Sequence, residues 1–309
     1  MRAKPLGATG IDVGVVGLGA WQLTNEVWDG PGEQESLAVV EEALRLGCTL
    51  FDTAPAYAEG RSEALLGRAL EGRRDGVVLC TKFGHTADGR TDFSAERIRP
   101  AVEESLARLG TDRVDLFILH NPPAELLDPE APHYAELEQL KEEGLVRAWG
   151  SSVDWSHEVD AAVAAGAQVL EVLLNAFHQE PLEAVRRAHE AGVGVFAKVP
   201  LDSGWLSGKY RADASFAGVR SRWSPEVVAR RAALVARFEE LLPEDVSTAA
   251  GALAFLLAHE AVAAVIPGAK SVEQLRANVG AAEVELPPEI VAAIEALWRD
   301  ELAGDPLPW

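Results

Sequence analysis

The chain has 309 residues, 48% apolar and 25% charged, which suits one large α/β domain or two ordinary ones and excludes a disordered or disulfide-stapled chain. A formal net charge of −21 argues against partners such as nucleic acid or an anionic membrane, so any anionic ligand needs a local basic or helix-end site. The two cysteines, Cys48 and Cys80, have no metal-like spacing, and the opening MRAKPLGATGIDV lacks a signal-peptide pattern. These features lead us to expect a reduced, cytoplasmic protein without disulfides, zinc or a membrane span.

In chain order, the Gly-rich PLGATGIDV predicts a small hairpin that plugs the bottom of a barrel. Short apolar, β-branched runs then predict eight strands, at residues 15–20, 49–53, 77–82, 116–120, 148–152, 170–175, 193–199 and 264–267. Between them, apolar residues recur at helical spacing: Leu37, Val40 and Leu44; Ile98, Val102, Leu106 and Leu109; Leu182, Val185 and Ala188. Gly47, Gly110, Gly144, Gly166 and Gly192 stand where helices are expected to stop. Ser156 and Ser271 read as helix N-caps, the latter with Gln274 as a capping box. Pro287 and Pro288 open a last helix with Ile290, Ile294 and Leu297 on one face. Eight such units favour a single-domain (β/α)8 barrel over residues 1–309, rather than a doubly wound sheet. Two segments, 201–225 and 300–309, are longer than ordinary connections.

Three of the apolar runs end in an ionisable group: Asp52, Lys82 and His120. Tyr57 lies in the loop just past the first. Singly each has an ordinary explanation: a turn cap, a lysine reaching to water at a rim, a loop histidine, a packing ring. In a barrel, however, strand ends converge on one mouth. A phenol donates its proton at neutral pH most readily where its phenolate is stabilised, and an adjacent ammonium does that. A buried ammonium needs a counter-ion, which Asp52 supplies, and His120 can donate to a substrate oxygen. The set suits a carbonyl becoming an alcohol, and no carboxylate or histidine cluster offers a metal site for a barrel hydrolase.

GLGAWQL, FDTAPAYAEGRSEALLGRAL, TKFG, DLFILHNP, PLDSGWLSGKY and IPGAKSVEQLRAN occur in that order along nearly the whole chain. In these segments the chain resembles the aldo-keto reductases. The resemblance implies a (β/α)8 barrel that reduces carbonyls with a nicotinamide cofactor, and a catalytic tetrad of Asp52, Tyr57, Lys82 and His120. It further implies that the loop carrying Leu201, Ser203, Gly204 and Leu206 folds over the pyrophosphate through backbone groups. That loop continues into a basic island, Lys209, Arg211, Arg220 and Arg222, in an otherwise acidic chain. Gly268, Lys270, Ser271, Gln274 and Asn278 correspond to the adenosine end, where the strand leads into a helix N-terminus suited to phosphate. Family members that prefer NADP often carry arginine where Gln274 stands. Lys270 and Ser271 are then the expected 2′-phosphate partners, with NADPH favoured and NADH possible.

Two positions depart from the family pattern. Where Ser-Asn and a Gln commonly hold the carboxamide, this chain has Ser152-Val153 and Glu171, with Asn175 near enough in sequence to help. Trp21, Trp28, Phe83 and Asn121, with His85 and Trp205, are the expected substrate pocket. The reading is an NAD(P)H-dependent reductase of small carbonyl compounds; the alternative is a cofactor-binding regulatory module of the same fold.

Overall fold

The computed structural model describes residues 1–24, 30–216 and 222–308. Trp28 and Arg220, named above, lie outside them, as does the terminal Trp309. The chain opens on an antiparallel hairpin, β1 (Ala3–Pro5) and β2 (Asp12–Gly14). Eight parallel strands follow: β3 (Leu18–Gly19), β4 (Leu50–Asp52), β5 (Val78–Phe83), β6 (Val114–His120), β7 (Val146–Val153), β8 (Val169–Leu173), β9 (Gly194–Lys198) and β10 (Ala264–Val265). They pair strictly in chain order. Bridges from Val16 to Val265 and from Gly19 to Gly268 join the first to the last and close the barrel. All eight expected strands are present, each within a few residues of its expected limits.

The connections are helical. α1 (Glu33–Arg45), α2 (Arg61–Ala69), α3 (Ile98–Leu109), α4 (His133–Glu142), α5 (Ser156–Ala164) and α6 (Leu182–Glu190) follow β3 to β8 in turn. α7 (Pro225–Leu241) and α8 (Thr248–Leu257) lie between β9 and β10, and α9 (Val272–Gly280) and α10 (Pro288–Glu301) complete the chain. The five glycines expected to end helices all have positive φ, between 63° and 92°. Pro288 opens α10 with Pro287 as its cap, and Ser271 caps α9 by accepting from the Gln274 amide at 3.3 Å. Ser156 is not a cap. It is the first residue of α5, and its amide and hydroxyl bond to Glu180 instead (2.8 and 2.9 Å), while Glu158 caps the helix start through the Asp154 and Trp155 amides.

Strand periodicity divides the core in two. Side chains facing outward pack against the helices as one layer, and those facing inward fill the barrel. The hairpin plugs the bottom: Leu6, Ile11 and Val13 are buried with Leu50, Val78, Leu116, Val169 and Phe196. Ala8 donates to the Gly192 carbonyl at 2.7 Å, which ties the plug to the start of β9. Gly7, at φ 58°, sits so close to Gly192–Gly194 that a Cβ there would strike their backbone. Among the described residues, no helix is long and apolar enough to cross a membrane.

Leu6 is fully buried, so Leu6→Ala should cost about 2–4 kcal/mol in urea unfolding, as a cavity in a packed core does. A loss below about 1 kcal/mol would mean that the hairpin is an ornament rather than part of the core.

Candidate active site

The inward faces of six strands, β4 to β9, change character along their length. Leu50 is followed two residues on by Asp52, Cys80 by Lys82, Ile118 by His120, Gly150 by Ser152, Val169 by Glu171 and Phe196 by Lys198. A period of two therefore puts six polar side chains around the C-terminal mouth, above an apolar floor. The same period turns Phe83 and Val153 outward. Phe83, expected to line the substrate pocket, is instead 1% exposed and packed on Phe93 and Phe117, at ring centroids 5.7 and 6.2 Å. Val153 is fully buried in the strand–helix layer.

Lys82 is fully buried and Asp52 and Glu171 nearly so. The Lys82 ammonium donates to Asp52, and to the Thr53 carbonyl at 3.1 Å, and lies 3.3 Å from Glu171 Oε2. One ammonium thus faces two carboxylates. Glu171, expected at the cofactor, is drawn onto Lys82. Burial first, then the Glu171 charge, pushes the Asp52 carboxyl up to about 7 against the pull of Lys82. Burial lowers the pKa of Lys82, but Asp52 and Glu171 outweigh it and hold the ammonium well above its ordinary value.

Tyr57 is set by a strained turn: Ala58 and Glu59 are left-handed at φ 49° and 59°, followed by Gly60 at 80°. Its ring lies 5.1 Å from Lys82 Nζ and edge-on to Trp21 (6.4 Å) and His120 (5.8 Å). Burial raises the phenol above its ordinary value, Lys82 lowers it, and the carboxylates raise it again. The ammonium therefore offsets part of the burial effect and does not make the hydroxyl acidic outright, so the phenol keeps its proton at neutral pH. Burial, then Lys82, Lys198 and His85, drive His120 well below its ordinary value. The imidazole is neutral, and its Nδ1 is buried without a hydrogen-bond partner among the described residues.

Lys198 and Asp154 belong to this mouth although sequence reasoning passed over them. Lys198 Nζ donates to Ser152 Oγ (2.7 Å) and Asn121 Oδ1 (2.9 Å) and pairs with Asp154 (2.8 Å). The signal was available, since Lys198 ends an apolar run as Lys82 does. Asn175 is used structurally: it donates to the Val199 carbonyl at 3.2 Å and accepts from the Phe177 amide at 2.9 Å. Trp205 is fully buried against Tyr210, Phe216 and Trp223, in the core of the long loop rather than at a pocket wall.

A dinucleotide fits what surrounds this mouth. Val199, Asp202, Ser203 and Gly204 all have φ between 47° and 94°, a strained loop of the kind that turns backbone N–H groups toward an anion. Leu201 and Leu206 lie in the same turn, tied by a Leu206 N–H to Leu201 carbonyl bond of 3.2 Å. Buried Arg231 fastens this turn through Asp202. In the basic island, Lys209 lies over the Tyr210 ring (4.8 Å), Arg222 over Trp223 (5.3 Å), and Arg211 bonds to the loop's own carbonyls. On the other side Gly268 leaves room for the Gln22 amide, which a Cβ would displace, and Asn278 donates to its carbonyl at 3.2 Å. Gln274 accepts from the Lys270 amide at 2.9 Å, closing the turn into α9. Among the described residues, no cluster could hold a metal ion.

The sequence model of the Aldo/keto reductase family matches residues 15–299. The chain is 32% identical to the uncharacterized oxidoreductase YqkF of Bacillus subtilis, covering 98% of each. It is 30% identical to the NADH-specific methylglyoxal reductase of Escherichia coli, over 93% of this chain and 95% of that one. The solved aldo-keto reductase AKR11C1 of Bacillus halodurans, in its holo form, superposes with a TM-score of 0.82 at 29% identity over 96% of each chain. A closed (β/α)8 barrel with these relatives makes the chain an oxidoreductase of the aldo-keto reductase family.

Removing Lys82 leaves two buried carboxylates unpaired, and protonation relieves them. Lys82→Met should cost about 3–5 kcal/mol at pH 8 and clearly less at pH 5, by urea unfolding at both pH values. An equal loss at both would show that Asp52 and Glu171 are not the groups Lys82 serves.

Proposed function

We propose that the protein reduces an aldehyde or ketone to an alcohol with NAD(P)H, Tyr57 giving the proton. The observation that carries this is the convergence of Asp52, Lys82, Tyr57 and His120 on one barrel mouth. The cofactor, when bound, supplies the hydride. The protein's part is to place a protonated phenol and a neutral imidazole together where the carbonyl oxygen gathers charge. Lys82 steadies the phenolate that Tyr57 becomes, and Asp52 keeps the ammonium aimed. His120, with one ring N–H, orients the oxygen. Trp21, edge-on to Tyr57, forms one wall of the substrate site, and Asn121 at the rim forms another.

The strained loop at Leu201–Leu206 and the start of α9 receive the cofactor's phosphates. We assign Lys270 and Ser271 to the 2′-phosphate, which favours NADPH over NADH. Ser152 and Asn121, held by Lys198, take the carboxamide in place of the outward-turned Val153.

Tyr57→Phe should lower kcat about 10²–10⁴-fold while the NADPH Kd, read from tryptophan emission, changes less than about threefold. Retention of most turnover would remove Tyr57 from the reaction. Loss of a charged partner to phosphate should make Lys270→Met bind NADPH about tenfold more weakly and leave NADH unchanged. Equal weakening of both cofactors would place Lys270 away from the 2′-phosphate.

A further inference from the structure

The mouth of the barrel carries an imbalance of charge that proton donation by Tyr57 does not require. Around Lys82 Nζ, β4 contributes Asp52, β5 contributes Cys80, the following loop of β4 contributes Tyr57, β6 contributes His120 and β8 contributes Glu171. Burial keeps the Cys80 thiol and the Tyr57 phenol protonated, and His120 is neutral. From β9, Lys198 is matched by Asp154. Two carboxylates therefore share one ammonium, and one negative charge is left over in a site shielded from water.

Such a charge draws in a positive one. A proton is one candidate; the nicotinamide ring is another, since it is cationic when oxidised and neutral when reduced. This step rests on the cofactor reading above. A nicotinamide ring that supplied hydride to a carbonyl beside Tyr57 would lie within about 10 Å of the Lys82 cluster. At an effective dielectric of about 20, a unit charge at that range alters a binding constant on the order of tenfold.

We propose that Asp52, set beside Glu171 on one shared ammonium, holds a proton that the site releases to solvent when an oxidised nicotinamide ring binds and retains when a reduced ring binds. Glu171 is thereby the positioning residue that sets which redox state of the cofactor this barrel prefers. Binding of the oxidised form becomes tighter as pH rises past the point where Asp52 deprotonates, and binding of the reduced form does not. Because burial and the Glu171 charge raise the Asp52 carboxyl toward neutrality, the oxidised form should release more protons per site at pH 7 than at pH 9.

The test is isothermal titration of the full-length protein with NADP⁺ and NADPH, and with NAD⁺ and NADH, at pH 7 and 9. At each pH, pairs of phosphate-free buffers that differ in ionisation enthalpy reveal the protons exchanged. The 2′-phosphate is common to both redox forms of NADP, so the difference between them isolates the ring's charge. The proposal expects that difference in the wild type. It also expects Glu171→Gln to abolish the difference and to weaken oxidised relative to reduced cofactor about tenfold. Equal proton counts for both redox forms at pH 7, with normal binding, would overturn the proposal and leave the cofactor reading standing. So would an unchanged difference in Glu171→Gln. If none of the four dinucleotides binds, the cofactor reading fails and takes this proposal with it. NADPH binding by the variant reports that it is folded; if it does not fold, the wild-type comparison across pH decides alone.

Discussion

Everything at the mouth of this barrel follows from a fully buried ammonium. Lys82 projects from β5 into the interior, where an unpaired charge would be prohibitive, so the strands around it must supply carboxylates. Asp52 comes from the neighbouring strand. Glu171 comes from β8, three strands further round. In a flat sheet those positions are separated by roughly 14 Å, at about 4.8 Å per strand. The 3.3 Å approach of Glu171 to Lys82 exists because the sheet closes on itself.

Closure also explains how a single interior can be both core and candidate active site. The lower inward positions are apolar and are sealed by the hairpin, which gives the barrel a dry floor. The upper ones are ionisable and shielded by that floor, so their charges act at low dielectric on one another. Tyr57 feels this directly: burial holds its proton on, and Lys82 restrains how firmly. A protonated donor beside a neutral histidine is the state a carbonyl reduction starts from.

The long connection after β9 is anchored rather than loose where it is described. Asp202 meets Arg231 of α7 in a buried ion pair, and Arg231 also donates to the Pro308 carbonyl at 2.9 Å. Leu307 is buried as well, so the C-terminal segment and the strained turn at 199–204 share one support. Backbone strain of this kind persists only where its surroundings hold it in place.

The sequence by itself determined the fold and most of the candidate site. Eight apolar runs separated by helical periods leave few alternatives to a barrel, and Asp52, Lys82 and His120 announce themselves as charges ending apolar runs. Lys198 carried the same signal. Local chemistry such as the Ser271 cap and the Pro287-Pro288 start was legible because it depends on near neighbours in the chain. The tertiary structure decided which polar groups meet. That Glu171 turns to Lys82, that Lys198 holds Ser152 and Asn121, and that Phe83 and Trp205 are packed away all depend on which face of a curved sheet a residue occupies. Charges and rings from distant strands are brought within contact by closure of the barrel, and linear spacing carries no record of that distance.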